Sequence, residues 1–323
     1  MAFFLGIDGG GTRTTCLVGD ETSVLGTVTS AGSNPIRVGG PQARKVLRTA
    51  IRQACTAAKV DPKKIQRACI GVAGAARPQI SNLVHAAVAK LVGGEIEVVG
   101  DMVIAREAAF PDQPGIVVIA GTGSIAFGRN QRGEVARAGG WGFAVSDEGS
   151  GHWVGKTAVA AALRARDSGN DRENETRNET GETPGKDHER SSLLTSIMNA
   201  WHLETLDDLV RSANSIPPPD FSSLFPPVLA AAASGDALAR DILMSAASEL
   251  AQLAKIVMQR LETSGEALPL ALSGGVFQNS PVVRQAFANS VRADYPHVKI
   301  LPVTPDSVQG ALALARKGKD KHD

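Results

Sequence analysis

The sequence predicts an α/β fold in which one βββαβα unit occurs twice. Each half begins with the same local pattern, a short apolar strand, a glycine-rich turn and a second strand, at residues 3–20 and again at 116–130. The proline-rich segment 111–115 separates the repeats, and 323 residues suffice for two domains of ordinary size. We therefore expect a first domain at 1–114 and a second at 115–305.

The first half alternates short apolar runs with helical patterns. Segment 41–58 predicts a helix because its apolar residues recur every three to four positions, whereas 67–74 is a continuous apolar run typical of a buried strand. In chain order this half predicts strands at 3–8, 14–20, 24–30, 67–74 and 95–101 and helices at 41–58, 79–92 and 102–109.

The second half repeats the strand pattern and is then mostly helical. Strands are predicted from residue 116, in a hairpin up to residue 140, at 268–275 and at 298–303, with helices after Asn279 and after Asp306. Residues 167–192 contain no apolar side chain and are rich in Asn, Glu and Thr. Such a segment cannot bury enough surface to offset the entropy of ordering it, so we expect a mobile insertion there.

Composition excludes several classes of function. A hydrophobic content of 43% and a net charge of +1 indicate a soluble globular protein without the basic field that nucleic acid requires. No run of 18 apolar residues and no basic leader occurs, so we expect a cytoplasmic protein without a membrane span. The three cysteines form no CxxC spacing, which favours reduced thiols over a zinc or iron–sulfur site within one chain.

The first glycine turn lies in the segment GIDGGGTRTT, residues 6–15. A strand follows the glycines, so the segment is a hairpin, whereas dinucleotide-binding folds and P-loops pass from the glycines into a helix. One interpretation is a tight turn in which glycine only supplies positive φ. Three adjacent glycines exceed that need, and their bare amides allow a phosphate to approach the backbone.

Asp8 ends the strand in front of these glycines. A carboxylate repels phosphate, but it can hold Mg²⁺ through water while the ion bridges to phosphate oxygens. The turn GTGS at 121–124 has the same pattern, and two such hairpins could clamp a triphosphate from both sides. A third glycine pair, in SGGVF at 273–277, would permit close approach of a base or ribose.

Together, GIDGGGTRT, GTGS, GGWGFAVSDEGSG and SGGV resemble the sugar kinase/Hsp70/actin superfamily. Within it they are most similar to N-acetylglucosamine kinases, grouped with the BadF/BadG/BcrA/BcrD ATPases. The resemblance implies two actin-like (ribonuclease H-like) domains, each with a βββαβα core and with ATP in the cleft between them. It also implies that a last helix, at about 306–318, packs back onto the first domain and that the protein is a homodimer.

The resemblance assigns roles to individual residues. Asp101 takes the position of the catalytic base and Asp8 that of the Mg²⁺ organiser. The amino sugar is expected to contact Asn34, Gly140, Trp141 and Asp147. The nucleotide is expected to contact Gly10, Gly11, Thr12, Thr122, Gly123, Ser124, Gly274 and Gly275.

Alternatives stay open for several of these residues. Asp101 could cap the following helix, Trp141 could fill core, and Asp147 could be a solvated charge or a helix cap. The resemblance implies an ATP-dependent kinase acting on the 6-hydroxyl of N-acetylglucosamine, with glucosamine or a related amino sugar as the alternative. An ATPase activator of a 2-hydroxyacyl-CoA dehydratase or benzoyl-CoA reductase is disfavoured, because no cysteine lies near the predicted cleft loops to hold its iron–sulfur cluster.

Overall fold

The computed structural model describes residues 1–168, 192–261, 268–301 and 306–318. The first half forms β1 (Phe3–Gly9), β2 (Arg13–Gly19), β3 (Val24–Ala31), α1 (Pro35–Val38), α2 (Gly40–Ala58), β4 (Ile65–Gly71), α3 (Pro78–Ala89), β5 (Glu95–Val99) and α4 (Asp101–Ala109). The rest of the described chain forms β6 (Gly115–Ala120), β7 (Ser124–Arg129), β8 (Val135–Gly139), α5 (Gly151–Asp167), α6 (Ser192–Ala200), α7 (Leu206–Ala213), α8 (Phe225–Ala233), α9 (Ala237–Leu261), β9 (Leu270–Ser273), α10 (Gly275–Asn279), α11 (Pro281–Asp294) and α12 (Ser307–Lys317).

The two sheets repeat one topology. The five-stranded sheet has the order β3-β2-β1-β4-β5, with β1 antiparallel to β2 and parallel to β4. The four-stranded sheet has the order β8-β7-β6-β9, with β6 antiparallel to β7 and parallel to β9. Beside β9, Ile300 makes one parallel bridge to Leu270 at the place that β5 holds in the first sheet. The duplicated α/β architecture predicted from the two glycine hairpins is therefore confirmed.

Two local predictions were wrong at their boundaries, and one short helix was not expected. Segment 298–303 was expected to be a strand, but in its described part only Ile300 forms a bridge, and 302–305 lie outside the described residues. The helix expected after Asn279 is present, because α11 begins at Pro281, but the short α10 at Gly275–Asn279 precedes it and was not expected. The helix predicted to begin after Asp101 includes that residue, and Gly100 is its N-cap. The predicted insertion 167–192 lies, apart from its two ends, outside the described residues.

Separate apolar cores stabilise the two halves. Leu5, Ile7 and Ile70 lie fully buried between the first sheet and α2 and α3. The second core surrounds α9, which buries an apolar stripe along its whole length. Burial of one such Leu or Ile side chain stabilises the fold by roughly 1.5–3 kcal/mol. Among the described helices, none combines the length and apolar character that crossing a bilayer requires.

Helix α12 packs onto the first sheet, against β1 and α4. Two glycines allow this close approach. A β-carbon on Gly6 would lie 2.4 Å from the backbone nitrogen of Leu312, and one on Gly310 would lie 2.0 Å from the carbonyl oxygen of Ile104. The end of the described chain therefore returns to the sheet with which the chain begins, and it brings Asp306 to the edge where β1 ends.

Candidate functional site

The parallel strands of the first sheet place two carboxylates at one edge. Asp8 pairs in register with Gly71, and Gly71 pairs with Val99, two residues before Asp101. The carboxyl ends of parallel strands meet at the same edge of a sheet, which is where ligands bind in open α/β folds. The fold therefore brings Asp8 and Asp101 together, although 92 residues lie between them in the sequence.

Asp8 has an unusual protonation equilibrium. Burial, and after it the nearby charges of Asp101 and Asp306, raise the pKa of the carboxyl to about 7, while Arg13 opposes the shift. A carboxylate under such repulsion is stabilised by a cation, because the cation offsets the neighbouring negative charges. The described residues contain no group of three or more His, Cys, Asp or Glu side chains that could hold a metal ion. A Mg²⁺ ion at Asp8 would thus take its other ligands from water and phosphate, as this ion commonly does.

Asp101 is the first residue of α4, and its Oδ1 accepts a hydrogen bond of 3.0 Å from the backbone N–H of Met102. Burial raises the pKa of this carboxyl, and that hydrogen bond opposes the rise. The side chain thus interacts with the first turn of its own helix, but the N-cap of that helix is Gly100 and not Asp101. One carboxylate oxygen is engaged there, and a carboxylate has a second oxygen that can accept a proton.

The loop that carries Asn34 is attached to the first glycine turn. The backbone N–H groups of Ser33 and Asn34 both donate to the carbonyl oxygen of Gly10, at 3.1 Å each. The buried side chain of Asn34 caps α1, because its Oδ1 accepts from the backbone N–H of Ile36 at 3.0 Å. With Oδ1 engaged in this cap, the donor of the side-chain amide is Nδ2. Thr12, at the tip of the same turn, is exposed.

The second glycine turn is built around Asp147. This buried residue has a positive φ of 68° and accepts hydrogen bonds from the backbone N–H groups of Ser124 and Gly142. A β-carbon on Gly123 would lie 2.9 Å from its Oδ2. Burial raises the pKa of the Asp147 carboxyl, and the charge of Asp101 adds to the shift. The structure therefore brings Asp147 next to the turn and within electrostatic reach of Asp101.

Three further hydrogen bonds hold this turn against the start of α5 and the loop that precedes it. The Ser124 hydroxyl donates to the carbonyl oxygen of Glu148 at 2.7 Å, so its proton is engaged within the chain. The backbone N–H groups of Gly151 and His152 donate to the carbonyl oxygens of Gly121 and Thr122, at 2.8 and 3.3 Å. The turn is consequently rigid, and its remaining backbone N–H groups are the donors suited to a phosphate.

Trp141 lies on the loop between β8 and α5 and is 62% exposed. The core-filling alternative for this residue is therefore wrong. The guanidinium carbon of Arg137 lies 4.2 Å from the centroid of the indole ring, a cation–π contact on one face of the ring. Gly140, with a φ of 71°, turns the chain just before the tryptophan.

Gly274 and Gly275 lie against the second glycine turn. Gly274 has a φ of 96°, and a β-carbon there would lie 2.4 Å from the carbonyl oxygen of Ala120. A β-carbon on Gly275 would meet only Asn279, at 3.7 Å, so this face is open. The predicted nucleotide residues of the second half therefore occupy adjacent backbone positions at the ends of β6 and β9.

The sequence patterns did not single out four charged residues that the structure places at or near the candidate site. Arg13 and Asp306 interact electrostatically with Asp8, and Arg37 forms an ion pair of 2.6 Å with Asp220. Arg13 begins β2 directly after the glycine turn, a position that could have indicated a role. Charged residues such as Asp220 and Asp306 in exposed loops carry no pattern that distinguishes them from surface charge.

The cysteines are all buried in the first half. Cys16 lies in β2, Cys55 in α2 and Cys69 in β4, and burial raises the pKa of each thiol. Buried neutral thiols are poor ligands for a cluster shared at a subunit surface. This placement disfavours the activator alternative on structural grounds.

The chain matches the model of the BadF/BadG/BcrA/BcrD ATPase family over residues 5–315. It belongs to this family. A Clostridium acetobutylicum N-acetylmuramic acid/N-acetylglucosamine kinase is 31% identical to it, over 99% of this chain and 100% of the relative. A Dictyostelium discoideum N-acetyl-D-glucosamine kinase is 28% identical over 98% of each chain.

Solved structures confirm the fold. The structure of a candidate N-acetylglucosamine kinase from Chromobacterium violaceum superposes on this chain with a TM-score of 0.74. The two are 24% identical, and the superposition covers 97% of this chain and 98% of the other. A ROK family glucokinase from Streptomyces griseus, in complex with glucose and AMPPNP, gives a TM-score of 0.58 and 17% identity over 98% and 100% of the two chains. The two-domain sugar kinase fold expected from the sequence is therefore correct.

Proposed function

We propose that this protein is an ATP-dependent kinase that transfers the γ-phosphate of ATP to the 6-hydroxyl of N-acetylglucosamine. The observation that carries the proposal is the position of Asp101. Its carboxyl interacts electrostatically with Asp8, on the predicted metal and phosphate side, and with Asp147, on the predicted sugar side. Family membership and two full-length relatives named as N-acetylglucosamine kinases support it.

Phosphoryl transfer to an alcohol requires a positioned hydroxyl, a base and charge compensation. In the proposed reaction the 6-oxygen attacks the γ-phosphorus, the bond from that phosphorus to the β–γ bridging oxygen breaks, and ADP leaves. Asp101 accepts the hydroxyl proton on its carboxylate oxygen. Its burial raises its pKa, which makes it a stronger base near neutral pH than an exposed aspartate.

The other residues bind and orient. The backbone N–H groups of Gly10, Gly11 and Thr12 face the phosphates from one half, and those of Thr122 and Gly123 from the other, while Ser124 holds the second turn in place. Asp8 would hold Mg²⁺, which when bound neutralises phosphate charge. Gly274 and Gly275 leave room for the adenosine.

On the sugar side, Asn34 donates from its Nδ2, Asp147 accepts from a hydroxyl, and Trp141 with Gly140 covers one face of the ring. Trp141 is largely exposed, and Arg137 lies against one face of its ring. We also propose that the protein acts in the cytoplasm, where ATP is available, and that it is a homodimer.

An ADP-release assay tests the proposal. The protein is incubated with ATP and Mg²⁺ and with N-acetylglucosamine, glucosamine, N-acetylmannosamine, N-acetylmuramic acid or glucose in turn. We expect N-acetylglucosamine to give the highest kcat/KM and the product to carry phosphate on its 6-oxygen by NMR. Absence of sugar-dependent ADP release, in a protein that binds ATP, would contradict kinase function. A higher kcat/KM for another sugar would contradict only the substrate assignment.

A further inference from the structure

An ion pair joins the two halves of the molecule next to the first glycine turn. Nη2 of Arg37, in α1, lies 2.6 Å from Oδ1 of Asp220, in the loop before the short 3₁₀ turn Phe221–Leu224. Helix α1 belongs to the first half, where it packs on α2, whereas the 3₁₀ turn packs on α5 and α8 in the second half. The pair therefore connects structural elements that lie on different sheets.

Hydrogen bonds within the second half position the Asp220 side chain independently of Arg37. Its Oδ1 accepts hydrogen bonds from the backbone N–H and the hydroxyl of Ser222. The adjoining Phe221 packs closely on α5, since a β-carbon on Gly155 would lie 1.9 Å from the Phe221 carbonyl oxygen. Together with Arg37, these hydrogen bonds hold the pKa of Asp220 below its usual value. The carboxylate is thus a fixed anion on the second half.

Arg37 contacts the first glycine turn, and its helix is joined to the loop that carries Asn34. A β-carbon on Gly11 would lie 2.8 Å from Cδ of Arg37, so the arginine stem covers the glycine turn. Its helix begins at Asn34, whose backbone N–H donates to the carbonyl oxygen of Gly10. A movement of α1 would consequently shift the proposed sugar ligand Asn34 and the proposed phosphate turn at the same time.

We propose that Arg37 and Asp220 form a closure pair that couples sugar binding to nucleotide binding. The pair fixes α1 relative to the second half, so that the two glycine turns face each other and Asn34 faces the sugar in one arrangement. A ligand that favours this arrangement makes the second ligand bind more tightly, because the first ligand has already supplied the free energy needed to close the two halves. Both side chains are positioning residues, and the inference rests on the kinase function proposed above.

The surroundings of the pair fit this role. His152 of α5 interacts electrostatically with both Arg37 and Asp220, and burial together with Lys156 and Arg37 lowers its pKa. The side chains of Arg37 and Asp220 are 29% and 45% exposed, and ion pairs with that exposure contribute little to folding stability. Loss of the pair is therefore expected to shift the equilibrium between open and closed arrangements of the two halves and to leave the fold intact.

The test measures the dissociation constant of AMPPNP with Mg²⁺, with and without saturating N-acetylglucosamine, by calorimetry. In the wild type we expect the sugar to tighten nucleotide binding by about fivefold or more, the lower end of common coupling factors. In R37Q, D220N and the double variant this ratio should fall toward one, with the double variant no worse than either single. R37K should keep most of the coupling, because it keeps the charge.

A matched control is Arg132→Gln, which removes an exposed arginine that pairs with Glu134 at 2.7 Å within the second half. It should leave coupling, KM and kcat unchanged. Unchanged coupling in R37Q and D220N, in an enzyme that phosphorylates the sugar, would overturn the closure pair alone. A wild-type protein that neither binds nor phosphorylates any tested sugar would instead contradict the proposed function. A lower melting temperature of both single variants with unchanged coupling would assign the pair a purely structural role.

Discussion

Gly123 and Asp147 are in such close contact that a β-carbon on the glycine would lie 2.9 Å from Oδ2 of the aspartate. The carboxylate cannot easily move away, since it is buried and accepts two backbone hydrogen bonds. The missing side chain at Gly123 thus allows a proposed sugar ligand to lie against a proposed phosphate turn. This contact links the two proposed substrate sites of the second half through one residue.

Gly123→Ala is expected to displace Asp147 and to raise the KM for the sugar by about tenfold, which corresponds to roughly 1.4 kcal/mol of lost binding. The matched control is Gly121→Ala in the same turn, where a β-carbon would meet no atom within 4 Å. Thermal unfolding without ligand should show a lower melting temperature for Gly123→Ala only. If the two variants had equal melting temperatures and equal KM values, the contact between Gly123 and Asp147 would matter neither for stability nor for sugar binding.

Asp101→Asn is expected to lower kcat by about 10²–10⁴, the usual contribution of a general base. Asparagine can still accept the hydrogen bond from Met102, so α4 and the affinity for AMPPNP should be preserved. Asp61→Asn serves as the control, because Asp61 likewise accepts a local backbone hydrogen bond, from Lys63 at 2.9 Å, outside the site. If Asp101→Asn turned over at the wild-type rate, Asp101 would not be the base.

Asp8→Asn is expected to stabilise the protein without ligands and to abolish turnover. In the folded protein the pKa of Asp8 is raised to about 7 from 3.8, so between these values the folded state binds more protons than the unfolded state. Stability from this group is therefore lost as pH rises through that range, and the ionised form is unfavourable above it. Asparagine removes this penalty together with the proposed metal ligand.

Chemical denaturation checks the sign of this effect. The difference in unfolding free energy between Asp8→Asn and the wild type should be small at about pH 4 and should grow up to about pH 7. Above that range it should stay constant. A difference that shrinks as pH rises would contradict the raised pKa of Asp8.

Gly310→Ala is expected to destabilise the contact between α12 and α4. The added β-carbon would lie 2.0 Å from the backbone oxygen of Ile104, an atom that cannot turn aside. Overpacking of this kind costs roughly 1–3 kcal/mol or more in unfolding free energy. Gln309→Ala, on the exposed side of the same helix, should change it by no more than about 0.5 kcal/mol. Urea denaturation of both variants measures the difference.

Local patterns predicted the repeated hairpins and most helices, because hydrophobic period and glycine turns are properties of short segments. The start of α10 was missed for a tertiary reason. Gly274 adopts a φ of 96° while packed against Ala120, and nothing within the segment itself indicates that contact. Asn34 shows the same limit, since its dual position as helix cap and candidate sugar ligand depends on how α1 meets the glycine turn.

The sequence by itself determined the α/β class, the duplication and the family, because these depend on strand order and on glycine motifs that fold locally. Only the tertiary structure decided which charges meet. The raised pKa of Asp8, the proximity of Asp147 to Asp101 and the ion pair between Arg37 and Asp220 all join residues from distant segments. Electrostatic interaction depends on distance and burial, and both are set by the packing of sheets and helices that no short segment encodes.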